Sequence, residues 1–178
     1  MKSHEPALSG AHVWQRAFDF AARRHQGQYR DNGVTPYATH PMRVAMILAT
    51  VFEVSDERIL AAAVLHDLIE DTPVDRDEIA ELFGDDIASW VAAMSKDMRM
   101  EHDAREAAYD AQLADAAWPA RLIKLGDVYD NVTDAPEGKR ASSIAKAHRA
   151  IELAGAEPEL DLAVERLKER IAAVESAV

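Results

Sequence analysis

The chain contains no cysteine. Disulfide frameworks and thiolate metal sites are thereby excluded, and a metal would have to be held by nitrogen and oxygen ligands. The same absence suits a reducing compartment, so the expected location is the cytoplasm. No apolar run approaches the length of a membrane span. The opening Met-Lys-Ser-His-Glu-Pro lacks the apolar stretch of a secretory signal, and no signal peptide or membrane partner is expected. Basic residues are in deficit: 20 Lys and Arg face 32 Asp and Glu, for a net charge of -12. That balance argues against a nucleic-acid partner, since such binding sets Lys and Arg against phosphate. A small anionic substrate stays possible, because a metal and a few local cations can dominate a pocket. Strand alternation, fixed-period repeats and low-complexity tracts are missing too.

What remains is helical. The chain has 178 residues, 48% of them hydrophobic, enough for one domain with a real core. The first helix is predicted from His12 to Gln26, with Trp14, Phe18 and Ala21 on its apolar stripe and His25 continuing it. Gly27 to Thr39 reads as turns. Pro41, after His40, suits the first position of a helix that runs to about Phe52. Ser55 is the expected cap of the next helix, which carries Ile59, Leu60, Ala63 and a His-Asp pair and stops near Pro73. Asp75 and Glu78 suggest a capping box for a short helix ending at Gly84. Further helices are expected at 86–96, 102–115 and 119–132. Two more, 140–154 and 158–177, follow a break at Pro136 and Gly138. The last has an apolar stripe through Leu160, Val164, Leu167, Ile171, Val174 and Val178, read as packing on its own bundle.

The informative feature lies in Ala-Val-Leu-His-Asp-Leu-Ile-Glu-Asp-Thr. On one helix His66 would lie over Glu70 and Asp67 over Asp71. Four ionisable groups together are costly to bury unless a cation or tight hydrogen bonding compensates. A divalent site of this kind needs imidazoles and carboxylates with open positions for water. His40 and Asp127 are the candidates for its remaining ligands, Asp127 because it follows an apolar run. Lys124 and Asn131 share a helix face with Asp127. Each residue also has a plain reading: His40 as a helix-start residue, Asp127 paired with Lys124 or Arg121, and Glu70 and Asp71 as a solvated helix end. His102 and His148 are expected to be solvent-exposed.

Taken together, five segments resemble those of the HD-domain metal-dependent phosphohydrolases, specifically the RelA/SpoT hydrolase domain and above all its small single-domain alarmone hydrolases. They are His-Gln-Gly-Gln-Tyr-Arg (25–30), Pro-Tyr-Ala-Thr-His-Pro (36–41), Leu-His-Asp-Leu-Ile-Glu-Asp-Thr (65–72), Ser-Lys-Asp (95–97) and Leu-Ile-Lys-Leu-Gly-Asp-Val-Tyr-Asp-Asn (122–131). The resemblance implies an all-α, HD-domain helical bundle. It spans residues 1–178 as one domain, with its motifs in about 12–134 and packing helices in about 140–177.

The resemblance also implies the chemistry. His40, His66, Asp67 and Asp127 would ligate one ion, most often Mn²⁺, with other divalent transition metals admissible. Glu70 and Asp71 would position or activate the attacking water. Arg30 would pack on the nucleotide base, Asn131 would hold the nucleoside, and Lys96 and Lys124 would face phosphates. His25 is read as structural or supporting. The implied activity is a (p)ppGpp 3′-pyrophosphohydrolase acting on a small anionic nucleotide. The alternatives are a phosphatase for another phosphoester, such as the 2′-phosphate of NADPH, and an idle nucleotide-binding module. Three positions depart from the pattern: Asp31, Val128 and Thr133 stand where basic residues are usual. Oligomeric state is not specified by the sequence.

Overall fold

The computed structural model describes residues 11–176. Met1 to Pro6, on which the signal-peptide reading rests, and Val178 lie outside them. The order is α1 (Val13–Arg24), α2 (Thr39–Thr50), α3 (Glu57–Leu65), α4 (Leu68–Asp71), α5 (Arg76–Phe83), α6 (Asp85–Ala93), α7 (His102–Asp115), α8 (Trp118–Asp134), α9 (Arg140–Ala154) and α10 (Asp161–Ser176). Short 3-10 turns precede α9 (Glu137–Lys139) and α10 (Pro158–Leu160). The described residues form no strand; Tyr29 and Pro36 make a single antiparallel bridge that closes the loop between α1 and α2. No helix of the described residues is long and apolar enough to cross a membrane. The all-α helical bundle expected from the sequence is what the chain adopts.

Helix α8 is the axis. Its apolar positions, including Leu122, Ile123, Leu125, Val128 and Val132, are buried. It packs against α2, α9 and α10, while α3 packs against α1, α2 and α6. Gly126 permits the close approach of α2 to α8: a Cβ built there would sit 2.2 Å from Leu48 Cδ1 of α2. That approach brings the start of α2 beside the middle of α8, and so His40 beside Asp127.

Several boundaries differ from expectation for local reasons. Asp56, not Ser55, caps α3: its carboxylate accepts from Arg58 N at 2.9 Å. Helix α2 begins at Thr39, with Pro41 inside its first turn, where a missing N–H costs nothing. Helix α6 stops at Ala93 rather than 96, because the Gln112 side chain of α7 takes the carbonyls of Ala92, Ala93 and Ser95. The stretch 158–160 is a 3-10 turn, and α10 starts at Asp161. Asp75 does cap α5, accepting from Glu78 N at 2.8 Å, and Gly84 ends it at φ 97°.

The largest departure falls at the key motif. His66 and Asp67 are not inside one continuous helix but form the turn between α3 and α4. His66 Nδ1 lies 2.8 Å from the carbonyl of Ala63. In an unbroken helix that carbonyl would accept from Asp67 N. The imidazole takes its place, and the helix breaks there.

Candidate metal centre

Three elements meet at one point: the first turn of α2, the α3–α4 turn and the middle of α8. His40, His66 and Asp67 each place one ligand atom so that all lie within 4.8 Å of one another. Asp127 stands beside them, its Oδ1 3.2 Å from His40 Nε2 and 3.9 Å from His66 Nε2. The four candidate ligands read from the sequence are therefore brought together. Both imidazoles and Asp127 are buried.

The surroundings fix how these side chains present themselves. His40 Nδ1 is 2.7 Å from Asp130 Oδ2, and His66 Nδ1 is held by the Ala63 carbonyl. With both Nδ1 atoms as donors, both Nε2 atoms face the centre. His66 Nε2 is buried and has no hydrogen-bond partner. Tyr37 donates its hydroxyl to Asp67 Oδ2 at 2.7 Å. Asp127 is gripped by Lys124 Nζ at 2.8 Å and by Asn131 Nδ2 at 2.6 Å. The pairing of Asp127 with Lys124 is thus real and coexists with its place in the cluster. Arg121 is elsewhere, hydrogen-bonded to Ala154 O and Glu157.

Charge counting exposes a deficit. Asp67, Asp127 and Asp130 are three carboxylates at the centre, matched by Lys124 and Arg43. One positive charge is lacking. Burial alone would lower the pKa of His40, but its hydrogen bonds to Asp127 and Asp130 outweigh this and push it up to about 9. Burial likewise disfavours charge on His66, yet neighbouring Asp67 raises its pKa. Asp127 is held well below the usual carboxylate range because Lys124 and the two imidazoles overcome its burial. The site attracts positive charge, and a proton can supply it. So can a divalent cation, which the two-nitrogen, two-carboxylate donor set and the orphaned His66 nitrogen both fit.

Glu70 and Asp71 lie next to the cluster, on α4. Burial raises Glu70 above the ordinary carboxylate range, with Asp67 and Asp71 adding to the effect and Lys96 opposing it. Its Oε2 accepts from the backbone N of Lys96 at 2.9 Å. Asp71 is raised as well, by burial and then by Asp67. These acids line the same cavity of about 440 Å³ as the four candidate ligands.

The expected substrate-facing residues line that cavity too, each already engaged. Arg30 bonds Asp134 Oδ2 at 3.1 Å and Asn131 Oδ1 at 3.2 Å, with its guanidinium 6.0 Å from the Tyr37 ring centre. Lys96 Nζ is held by both oxygens of Glu106 at 2.8 Å. His25 is buried, its Nδ1 2.6 Å from Gln28 Oε1 and its ring 4.9 Å from that of Tyr37. His102 and His148 are exposed, as expected. Of the three departures, Asp31 pairs with Lys139 at 2.7 Å, and Val128 is buried at the cavity wall. Thr133 is exposed and donates its hydroxyl to Tyr129 O within its own helix.

The sequence reading missed Tyr37, Asp130, Arg43, Asp134 and Glu106. Arg43 forks onto Asp130 at 2.8 and 2.9 Å and reaches Asp134 at 2.8 Å. A signal was present: Arg43 is three residues after His40, and Asp130 three after Asp127, so each shares a helix face with a candidate ligand.

The family model described as HD domain matches residues 17–125. The chain belongs to the HD-domain family. Within it, this HD-domain protein is 34% identical over 122 residues to the guanosine-3′,5′-bis(diphosphate) 3′-pyrophosphohydrolase MESH1 of Drosophila melanogaster, covering 68% of each chain. It is 37% identical over 127 residues to the human protein of the same name, covering 68% of this chain and 71% of the other. A solved structure described as a metazoan ortholog of SpoT that hydrolyses ppGpp superposes with a TM-score of 0.76 at 28% identity. That match covers 90% of this chain and 96% of the other. These relatives agree with the small, single-domain HD hydrolases that the sequence resembles.

Proposed function

We propose that this HD-domain protein is a metal-dependent nucleotide phosphohydrolase that releases pyrophosphate from the 3′ position of (p)ppGpp, with a single Mn²⁺ as its ion. The observation that carries the reading is the meeting, in one cavity, of a cation-seeking His40–His66–Asp67–Asp127 cluster with the half-buried acid Glu70. The similarity to the MESH1 proteins supports the choice of substrate. When bound there, a divalent ion supplies Lewis-acid stabilisation of charge on phosphoryl oxygens and acidifies a water.

The chain's own side chains do the rest. Glu70 takes the proton of the attacking water, and the burial that raises its pKa makes it a stronger base than an exposed carboxylate. The Lys96 N–H holds Glu70 in place, and Asp71 keeps a second carboxylate close, which further favours the protonated form once the proton arrives. Arg30 turns its guanidinium to the purine, and Asn131 holds the nucleoside. Lys124 and Lys96 lower the cost of bringing phosphate oxygens among carboxylates. We place the enzyme in the cytoplasm, a reducing compartment that its cysteine-free sequence suits.

The test is a Mn²⁺-supplemented panel of ppGpp, pppGpp, NADPH and ordinary nucleotides, with pyrophosphate and orthophosphate measured separately. Pyrophosphate from ppGpp, abolished by EDTA and lost in Asp67→Ala, is the expected result. Orthophosphate from NADPH with ppGpp untouched would favour the second reading. Asp31 at the cavity and the apolar Val128 on its wall are the observations behind that alternative.

A further inference from the structure

Helix α9 was expected only to pack, yet one of its faces lines the cavity. Ser142, Ser143, Lys146, Arg149, Ala150 and Leu153 all border it, together with Lys139 just before the helix. Their spacing of three and four residues is that of one helical stripe, and Lys146 sits at its middle.

Six lysine and arginine side chains line this cavity, and five are already matched by carboxylates: Arg30 by Asp134, Lys96 by Glu106, Lys124 by Asp127, Lys139 by Asp31 and Arg149 by Asp110. Lys146 is the sixth. Among the described residues it has no ion pair, hydrogen bond or ring contact, and the hydroxyls of Ser142 and Ser143, one turn before it on the same face, are unengaged as well. A paired cation must give up its carboxylate before it can serve a ligand anion. An unpaired one, flanked by two free hydroxyls, needs no such exchange.

We propose that Lys146 docks the phosphate group of the substrate that is not cleaved, with Ser142 and Ser143 as its neutral donors, so that α9 forms the specificity wall of the site. The inference rests on the proposed function and extends it: the scissile diphosphate faces the His–Asp cluster, and the 5′-diphosphate faces α9. It also accounts for the loss of cations at Asp31, Val128 and Thr133, because positive charge reaches the cavity from a different element.

The test compares ppGpp with guanosine 3′-diphosphate, which lacks the 5′ phosphates, in wild type, Lys146→Ala, Lys146→Arg and Lys168→Ala. Lys168 is an exposed cation on α10 and controls for loss of overall charge. For ppGpp, KM should rise about tenfold in Lys146→Ala, the size of one charge-assisted hydrogen bond, with kcat held. Lys146→Arg and Lys168→Ala should keep the wild-type KM. For the 5′-free compound none of the variants should differ. An equal rise for both compounds, or none for ppGpp, overturns the assignment. If the wild type releases no pyrophosphate from ppGpp, the functional reading fails by itself. Calorimetric binding of the two compounds to Mn²⁺-loaded wild type and Lys146→Ala then decides on Lys146, and an unchanged Kd for ppGpp rejects it.

Discussion

Replacing Asp130 by Asn should weaken metal binding while leaving the fold in place. Asp130 is 3% exposed and accepts three hydrogen bonds, from His40 Nδ1 at 2.7 Å and from Arg43 at 2.8 and 2.9 Å. Asn keeps the shape but has one acceptor oxygen and an amide that only donates. If the amide faces His40, Nδ1 must accept, the proton moves to Nε2, and the lone pair facing the centre is lost. If the oxygen faces His40, Arg43 loses an acceptor instead. The Arg43 side chain is 39% exposed, so water can replace that bond at small cost. The second arrangement costs less. The tautomer survives, and the charge that steadied it does not. Partners of this kind are worth about 10- to 100-fold in metal affinity. That is roughly 1.4–2.8 kcal/mol. The metal-free fold should lose about 1–3 kcal/mol with the buried charge-assisted bonds. Calorimetric titration of the metal-free variant with Mn²⁺, beside a thermal melt, reads both quantities. A variant that binds Mn²⁺ within twofold of wild type would refute the view that Asp130 orients His40.

Metal and proton should compete at His40. With its pKa pushed up to about 9, calorimetry at pH 7 in buffers of different ionisation enthalpy should report close to one proton released per ion bound, and a value near zero would contradict this. A raised folded pKa stabilises the metal-free fold below the ordinary value of 6.5. That contribution is lost as pH climbs towards 9, so the Tm of the metal-free protein should fall over this range more than that of the loaded protein. Gly126→Ala should destabilise: its Cβ would lie 2.2 Å from Leu48 Cδ1 and 3.3 Å from Val44 Cγ1, both fully buried. Overpacking of about 1–3 kcal/mol should outweigh the gain of about 1 kcal/mol in helix propensity, and a Tm at or above wild type would refute it. Glu70→Gln keeps an acceptor for the Lys96 N–H, so Mn²⁺ affinity should hold while turnover drops by about 100-fold or more. Turnover within tenfold of wild type would remove Glu70 as the base.

Much of this was legible in the chain because it is local. The spans of α7 and α9, the Asp75 cap and the Gly84 stop all follow from neighbouring residues. His66 and Asp67 stand out as a charged pair in an apolar helix and Asp127 as a carboxylate after an apolar run, while His40 joins them through the resemblance of its segment to the HD-domain motifs. What escaped depends on contacts between elements. The break at His66 is made by its own side chain turning back to Ala63, which periodicity does not register. The end of α6 is set by Gln112 from α7. Arg43 and Asp130 become partners only once α2 and α8 are known to be adjacent. Lys146 is an ordinary surface lysine until α9 is seen to wall the cavity.

The central claim is that one cation is held where α2, the α3–α4 turn and α8 converge. Anomalous diffraction at the manganese edge from crystals grown with Mn²⁺ tests it most directly. The expected result is one strong peak in contact with His40, His66, Asp67 and Asp127. A map with no peak at that point, or with its strongest peak bound by other residues, would contradict the account.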